Sequence, residues 1–130
     1  MALNDLLSNM LSSIWNHEKV GKNTCIVKPV FKLGNAVLKL MKENGYIKDF
    51  EIKEQGARAY VLVHLIGRIN KCGVIKPRFS FGTSEFEKYE KRFLPSKDFG
   101  IVIVSTSKGL LTHNEAKEKG TGGKAIAYVY

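Results

Sequence analysis

The sequence predicts an α+β fold, with an α-β-α-β-β unit in the first half and a mostly β second half. Three observations predict it. Apolar residues recur at helical spacing twice in the first half, each time followed by β-branched or alternating segments. From Phe99 onward the apolar runs are short and bounded by turn residues. A length of 130 residues, 44% of them hydrophobic, allows one domain or two very small ones that share an interface.

Leu3, Leu6, Leu7, Met10, Leu11, Ile14 and Trp15 form one stripe of an amphipathic helix. Asn4 or Asp5 can cap its start, and Gly21 lies beyond its end. Thr24 to Val30 is short and β-branched and reads as a strand, with Pro29 at its end or on an edge. Leu33, Ala36, Val37, Leu40 and Met41 return to helical spacing until Asn44-Gly45 stops them. Tyr46 to Glu54 and Ala59 to Ile66 read as a hairpin turned at Gln55-Gly56. Residues 1–66 therefore form the predicted N-terminal domain and 67–130 the C-terminal one.

In the second half, Val74 to Phe81 reads as a strand interrupted by Pro77. Ser84 to Arg92 is a charged amphipathic piece with Phe86, Tyr89 and Phe93 on one face, capped by Ser84 and closed by Pro95. Phe99 to Val104 reads as a central strand, Gly109 to Leu111 as a short strand, and Ala125 to Tyr130 as the final one. Thr112 to Glu115 has capping-box spacing for a single helical turn through Lys119.

Composition narrows the function. Twenty-one Lys and Arg against twelve Asp and Glu leave a net charge of +9. On so small a body that field favours a polyanionic partner, most often nucleic acid. Charged residues at 25% with an ordinary apolar share exclude disorder over most of the chain. No apolar run approaches the roughly 20 residues of a membrane helix, and the N-terminus does not read as a signal peptide. Cys25 and Cys72 lie far apart and in no CxxC arrangement, as expected of buried, reduced thiols in a cytosolic protein. His17, His64 and His113 lack ligand-like neighbours, so neither a metal nor another cofactor is expected.

Two clusters stand out. Ser105-Thr106-Ser107-Lys108-Gly109 puts three hydroxyls and a cation at the end of an apolar strand. Such a segment is either a polar turn that satisfies its own backbone or a surface whose hydroxyls meet phosphates, 2′-hydroxyls and base edges. Gly120-Thr121-Gly122-Gly123-Lys124 is either a flexible loop or a backbone that can approach a polyanion closely. It fits neither phosphate-loop nor dinucleotide spacing, because Ala125 stands where each pattern needs another residue. Ser105 to Lys108 matches SxxK and His113 to Glu115 matches HxE, but the companion motifs of both enzyme classes are absent. Catalysis is therefore not expected. The most one-sided charge stretch is Lys19, Lys22, Lys28 and Lys32, with only Glu18 against it. It is either a solvated face or a basic patch.

The segments Leu94 to Gly109 (LPSKDFGIVIVSTSKG) and Leu110 to Gly123 (LLTHNEAKEKGTGG) closely resemble the signature of the small-subunit ribosomal protein eight family. Asn4 to Leu11 and Lys42 to Ile47 resemble the same family, and Ser84 to Arg92 with LPSKDFG is similar to its archaeal and eukaryotic branch. The resemblance covers essentially the whole chain. It implies an N-terminal α-β-α-β-β unit packed on a mostly β C-terminal, RNA-binding unit. It also implies a primary binder of small-subunit ribosomal RNA that docks on a helix of the central domain and helps assemble the platform beside neighbouring ribosomal proteins. Such a protein would be cytoplasmic, within the ribosome, and a monomer outside it. A second role, repression of its own message through a mimic of the RNA site, is implied for bacterial members.

Carried over by motif, Ser105, Thr106, Ser107 and Lys108 are the main RNA contact. Thr121, Gly122, Gly123, Lys124 and Tyr128 flank them. Asn4 and Asp5 at the first helix, and Val30, Phe31, Lys32 and Asn35 at the strand-to-helix loop, face the adjoining part of the RNA. This sequence departs from many bacterial relatives, which carry basic residues at Gly34-Asn35 and often Glu at Lys124; the Asn35 amide can still donate.

Overall fold

The structure is a computed structural model that describes residues 6–28, 30–56, 58–75, 80–81, 92, 94 and 100–130. Asn4 and Asp5, the Pro77 interruption and most of the charged piece from Ser84 to Arg92 lie outside the described residues. The chain divides into two compact units, Met1–Cys72 and Gly73–Tyr130. The architecture is α+β, with three described helices and two antiparallel sheets.

In the first unit, α1 (Leu6–Lys19) precedes β1 (Thr24–Val27), α2 (Lys32–Glu43), β2 (Ile47–Gln55) and β3 (Arg58–Leu65). The sheet order is β1-β3-β2, antiparallel throughout. Leu7, Met10, Leu11 and Ile14 are the buried stripe of α1, as their spacing predicts. Fully buried side chains of this size contribute roughly 1.5–3 kcal/mol each. In α2 the buried set is Gly34, Val37, Leu38, Leu40 and Met41. Leu38 was outside the predicted stripe, and Leu33 and Ala36 are only half-buried. The inner face of α2 is thus rotated from the one that spacing suggested.

Strand β1 stops at Val27, short of the predicted Val30. The register pairs Cys25 with Val63 and Val27 with Val61 on the face toward the helices. Thr24 and Ile26 lie on the opposite, open face with His64 and Leu62. Helices α1 and α2 both end on a left-handed glycine. Lys22 N–H reaches the His17 carbonyl at 3.0 Å beyond Gly21, and Tyr46 N–H reaches the Met41 carbonyl at 2.8 Å beyond Gly45. These 6→1 bonds satisfy carbonyls that the last turn would otherwise leave open.

In the second unit, β4 (Cys72–Val74), which starts on the last residue of the first, and β5 (Ser80–Phe81) pair with different parts of β8 (Gly123–Val129). β6 (Ile101–Thr106) lies between β8 and β7 (Gly109–Thr112), the inner position its uninterrupted apolar run predicts. Val102, Val104, Leu111, Ala116 and Ala125 share one core with Ile75 and Leu94. The single turn α3 (His113–Glu118) is capped by Thr112, whose hydroxyl accepts from Glu115 N–H at 3.2 Å and faces the Glu115 carboxylate at 3.3 Å. His113 is buried and its Nδ1 accepts from Val102 N–H at 3.1 Å, so the ring takes over a ladder position where β7 ends. That bond requires a lone pair on Nδ1 and hence a neutral ring.

Candidate nucleic-acid interface

The hydroxyl cluster sits at the β6–β7 hairpin. Ser105 and Thr106 still belong to β6, and Ser107-Lys108 form the turn. Neither turn residue has a positive φ, and the left-handed step falls on Gly109 at φ 108°. A Gly just after two such residues closes a hairpin that they could not close alone.

The three hydroxyls divide into two kinds. Thr106 Oγ1 donates to the Gly109 carbonyl at 2.8 Å and accepts from Lys108 N–H at 3.1 Å. It is committed to the turn. Ser105 and Ser107 are exposed, and among the described residues neither hydroxyl has a hydrogen-bond partner. The polar-turn reading therefore holds for Thr106, while Ser105, Ser107 and the exposed Lys108 remain available to a ligand.

The structure brings Lys124 to this cluster. Ser105 pairs with Lys124 across β6 and β8, and with Leu110 across β6 and β7, so the three share one face. Gly123, next along β8, has no room for a side chain. A Cβ there would collide with the Ser105 carbonyl and approach Val104 Cγ1 at 3.0 Å. Strand-to-strand approach inside the protein is thus sufficient to require glycine here. Thr121 is half-buried; its hydroxyl donates to the Lys119 carbonyl at 3.3 Å and its N–H to Ala116 at 2.9 Å, beyond the left-handed Gly120. Gly122 is half-buried beside it.

Tyr128 is not brought to the hydroxyls. It pairs with Val102, at the other end of β6, on the face carrying Val104 and Ala125. Its ring stacks with Tyr130 at 6.2 Å between centroids, and its hydroxyl end lies against Gly73. A one-residue bulge in β8 between the partners of Ile103 and Val104 changes which side chains share a face, a shift invisible in the alternation alone.

In the first unit, Val30 and Phe31 lead into α2. Phe31 occupies the N-cap without a capping side-chain bond, and its ring lies across Gly34. Asn35 N–H closes the first turn on the Phe31 carbonyl at 3.0 Å. The preceding amides of Lys32, Leu33 and Gly34 have no helical acceptor, as at every helix start. Lys32 is exposed and Asn35 half-exposed beside them. Uncapped amides and one cation suit a phosphate oxygen.

Sequence reasoning missed one further basic feature. Lys19 and Lys71 both lie over the Trp15 ring, at 4.3 and 5.9 Å from its centroid, while Trp15 Nε1 donates to the Asn70 carbonyl at 3.0 Å. Lys71 is too distant in sequence for any spacing rule to couple it to Trp15.

The remaining chemistry is structural. Cys25 and Cys72 are buried free thiols. Burial, with Glu18 nearby, pushes Cys72 up to about 12, and burial also raises Cys25. Glu18 is raised by burial while the Gly67 and Ile69 N–H groups counteract it. Lys42 lies 3.0 Å from Asp49 and, with the Phe50 N–H, holds that carboxyl low. Among the described residues, no three His, Cys, Asp or Glu side chains gather as a metal group would. No described helix is long and apolar enough to cross a membrane.

These features define a small basic α+β protein that presents hydroxyls and backbone amides. The model of the family described as ribosomal protein S8 matches residues 5–130, and the chain belongs to that family. The family is one of structural, RNA-binding ribosomal proteins, so this is a small-subunit ribosomal protein that binds ribosomal RNA among other ribosomal proteins.

Proposed function

We propose that this protein binds a helix of the central domain of small-subunit ribosomal RNA and reads an irregular internal loop with Ser105 and Ser107. In this role it orders the platform during assembly, is a monomer before it joins the cytoplasmic ribosome, and binds chiefly through its C-terminal unit. The single observation that carries the reading is the pair of exposed, unpartnered serine hydroxyls on either side of a threonine that locks their turn. A-form RNA offers a shallow minor groove with 2′-hydroxyls, which small hydroxyl side chains can approach. Lys108 and Lys124 neutralise phosphates beside them without reading sequence. The α2 start, with Lys32 and Asn35, holds a phosphate of the adjoining RNA, and Asn4 and Asp5, outside the described residues, are proposed as further contacts to that RNA.

The test is a titration of the central-domain RNA fragment and of a scrambled helix of equal length. Ser105→Ala with Ser107→Ala is expected to cost about 1–3 kcal/mol on the cognate fragment only, because RNA groups lose their partners. Retention of the cognate preference by a folded double variant would reject the serines as the reading surface.

A further inference from the structure

We propose that the free edge of β1 docks an extended strand of a partner protein, and that this strand alternates apolar and acidic side chains. The hydrogen-bond ladder comes first. Leu65 N–H donates to the Asn23 carbonyl at 2.7 Å, and the register continues with Cys25 opposite Val63 and Val27 opposite Val61. In an antiparallel pair the residues alternate, so Thr24, Ile26 and Lys28 turn their N–H and C=O groups away from β3. Among the described residues no strand pairs with that side. An unpaired row of this kind is a template for another strand.

A groove lies beside the same edge. It holds about 310 Å³ between Asn9, Met10 and Ser13 of α1 and Ile26, Val27 and Lys28 at β1. A strand added to β1 would follow its pleat. Side chains in register with Cys25 and Val27 would enter this groove, whose floor is lined by the buried Met10 and Val27. Those in register with Thr24, Ile26 and Lys28 would lie on the open face, where Ile26 is 54% exposed.

Charge selects the occupant. From Lys19 to Lys42 the chain carries six lysines and no acid. Lys22 and Lys28, both exposed, flank the two ends of β1. A second copy pairing antiparallel on this edge would set lysine against lysine, which opposes self-association. An RNA strand could meet the lysines but has no alternating amide N–H and C=O groups to match the ladder. An acidic, alternating strand satisfies the ladder, the groove and the charge together.

Four probes test this on the full-length protein by amide NMR: an eight-residue Glu-Val repeat, a Lys-Val repeat, a Glu-Val repeat methylated on alternate backbone nitrogens, and a uridine octamer. The Glu-Val repeat is expected to bind saturably and to slow exchange of the Thr24, Ile26 and Lys28 amides. Lys22→Glu with Lys28→Glu is expected to weaken it about tenfold, the effect of two exposed ion pairs near the top of their usual range. Asn9→Trp, which fills the groove from an exposed helix position, is expected to weaken it as well. Equal binding by the Lys-Val or methylated repeat would overturn the proposal. So would slow exchange of those amides in the unliganded protein, or stronger protection of them by the uridine octamer.

Discussion

Gly123→Ala isolates the packing that holds the hydroxyl loop in place. Gly123 has no positive φ, so alanine can adopt its backbone conformation. On that ground alone the substitution would stabilise, by about 0.4–1 kcal/mol, through the unfolded chain. Space reverses the sign. The new methyl would collide with the Ser105 carbonyl, stand 3.1 Å from the Ser105 carbonyl carbon and 3.0 Å from Val104 Cγ1. Two of those atoms are backbone of an inner strand, so no rotamer change relieves the clash. β6 and β8 must separate where Val104 pairs with Ala125 and Ser105 with Lys124. Overpacking of this kind typically costs about 1–3 kcal/mol, and the backbone partner places this case at the upper end.

Subtracting the chain-entropy gain leaves roughly 2 kcal/mol of destabilisation. For cooperative unfolding of 130 residues the unfolding entropy is about 0.27 kcal/mol/K, so the midpoint should fall by roughly 7 °C. Calorimetry on wild type and variant measures the midpoint, and urea melts measure the free energy. The RNA titration should show a parallel loss on the cognate fragment, because Ser105 moves with the strand. A midpoint at or above wild type would refute the packing argument and return Gly123 to the role of a glycine kept open for a ligand.

Thr106→Val is expected to weaken the hairpin through loss of two hydrogen bonds, by about 1–2 kcal/mol in urea melts, whereas the double serine variant should leave stability within about 0.5 kcal/mol. Equal stability losses would show that the three hydroxyls are not divided as described. Lys32→Ala should weaken binding to cognate and scrambled RNA alike and make the slope of log K against log[salt] shallower by about 1; an unchanged slope removes the phosphate contact. Cys72 supplies a pH test. Its folded pKa of about 12 lies above its ordinary 9.0, so the buried neutral thiol stabilises the fold below pH 9 and that contribution falls away as pH rises toward 12. Cys72→Ala should therefore lose less stability than wild type between those limits in melts run across the range.

Much of the fold was legible in the sequence because its signals were local. The α1 stripe and the stops at Gly21 and Gly45 are set within a few residues, and the structure follows them. The apolar run at β6 also predicted an inner strand. Failures occurred where a distant partner decides. Leu38 is buried because of what α2 packs on, and the β8 bulge changes strand faces only through its pairing with β6.

The candidate site follows the same division. Three adjacent hydroxyls marked the loop in the sequence, but their types alone did not say which were spent. Thr106 is bound by contacts two and three residues away, which spacing allows but does not require. Gly123 was legible as a place of close backbone approach, yet the approaching group is Ser105, eighteen positions earlier in the chain. The two clusters that the sequence presents separately therefore act as one device in the C-terminal unit. A residue without a side chain lets β8 press against β6, and that contact fixes the strand from which Ser105 is presented. A side chain added at Gly123 should therefore disturb the hydroxyl loop through the Ser105 backbone, whereas a pair of independent loops would respond one at a time.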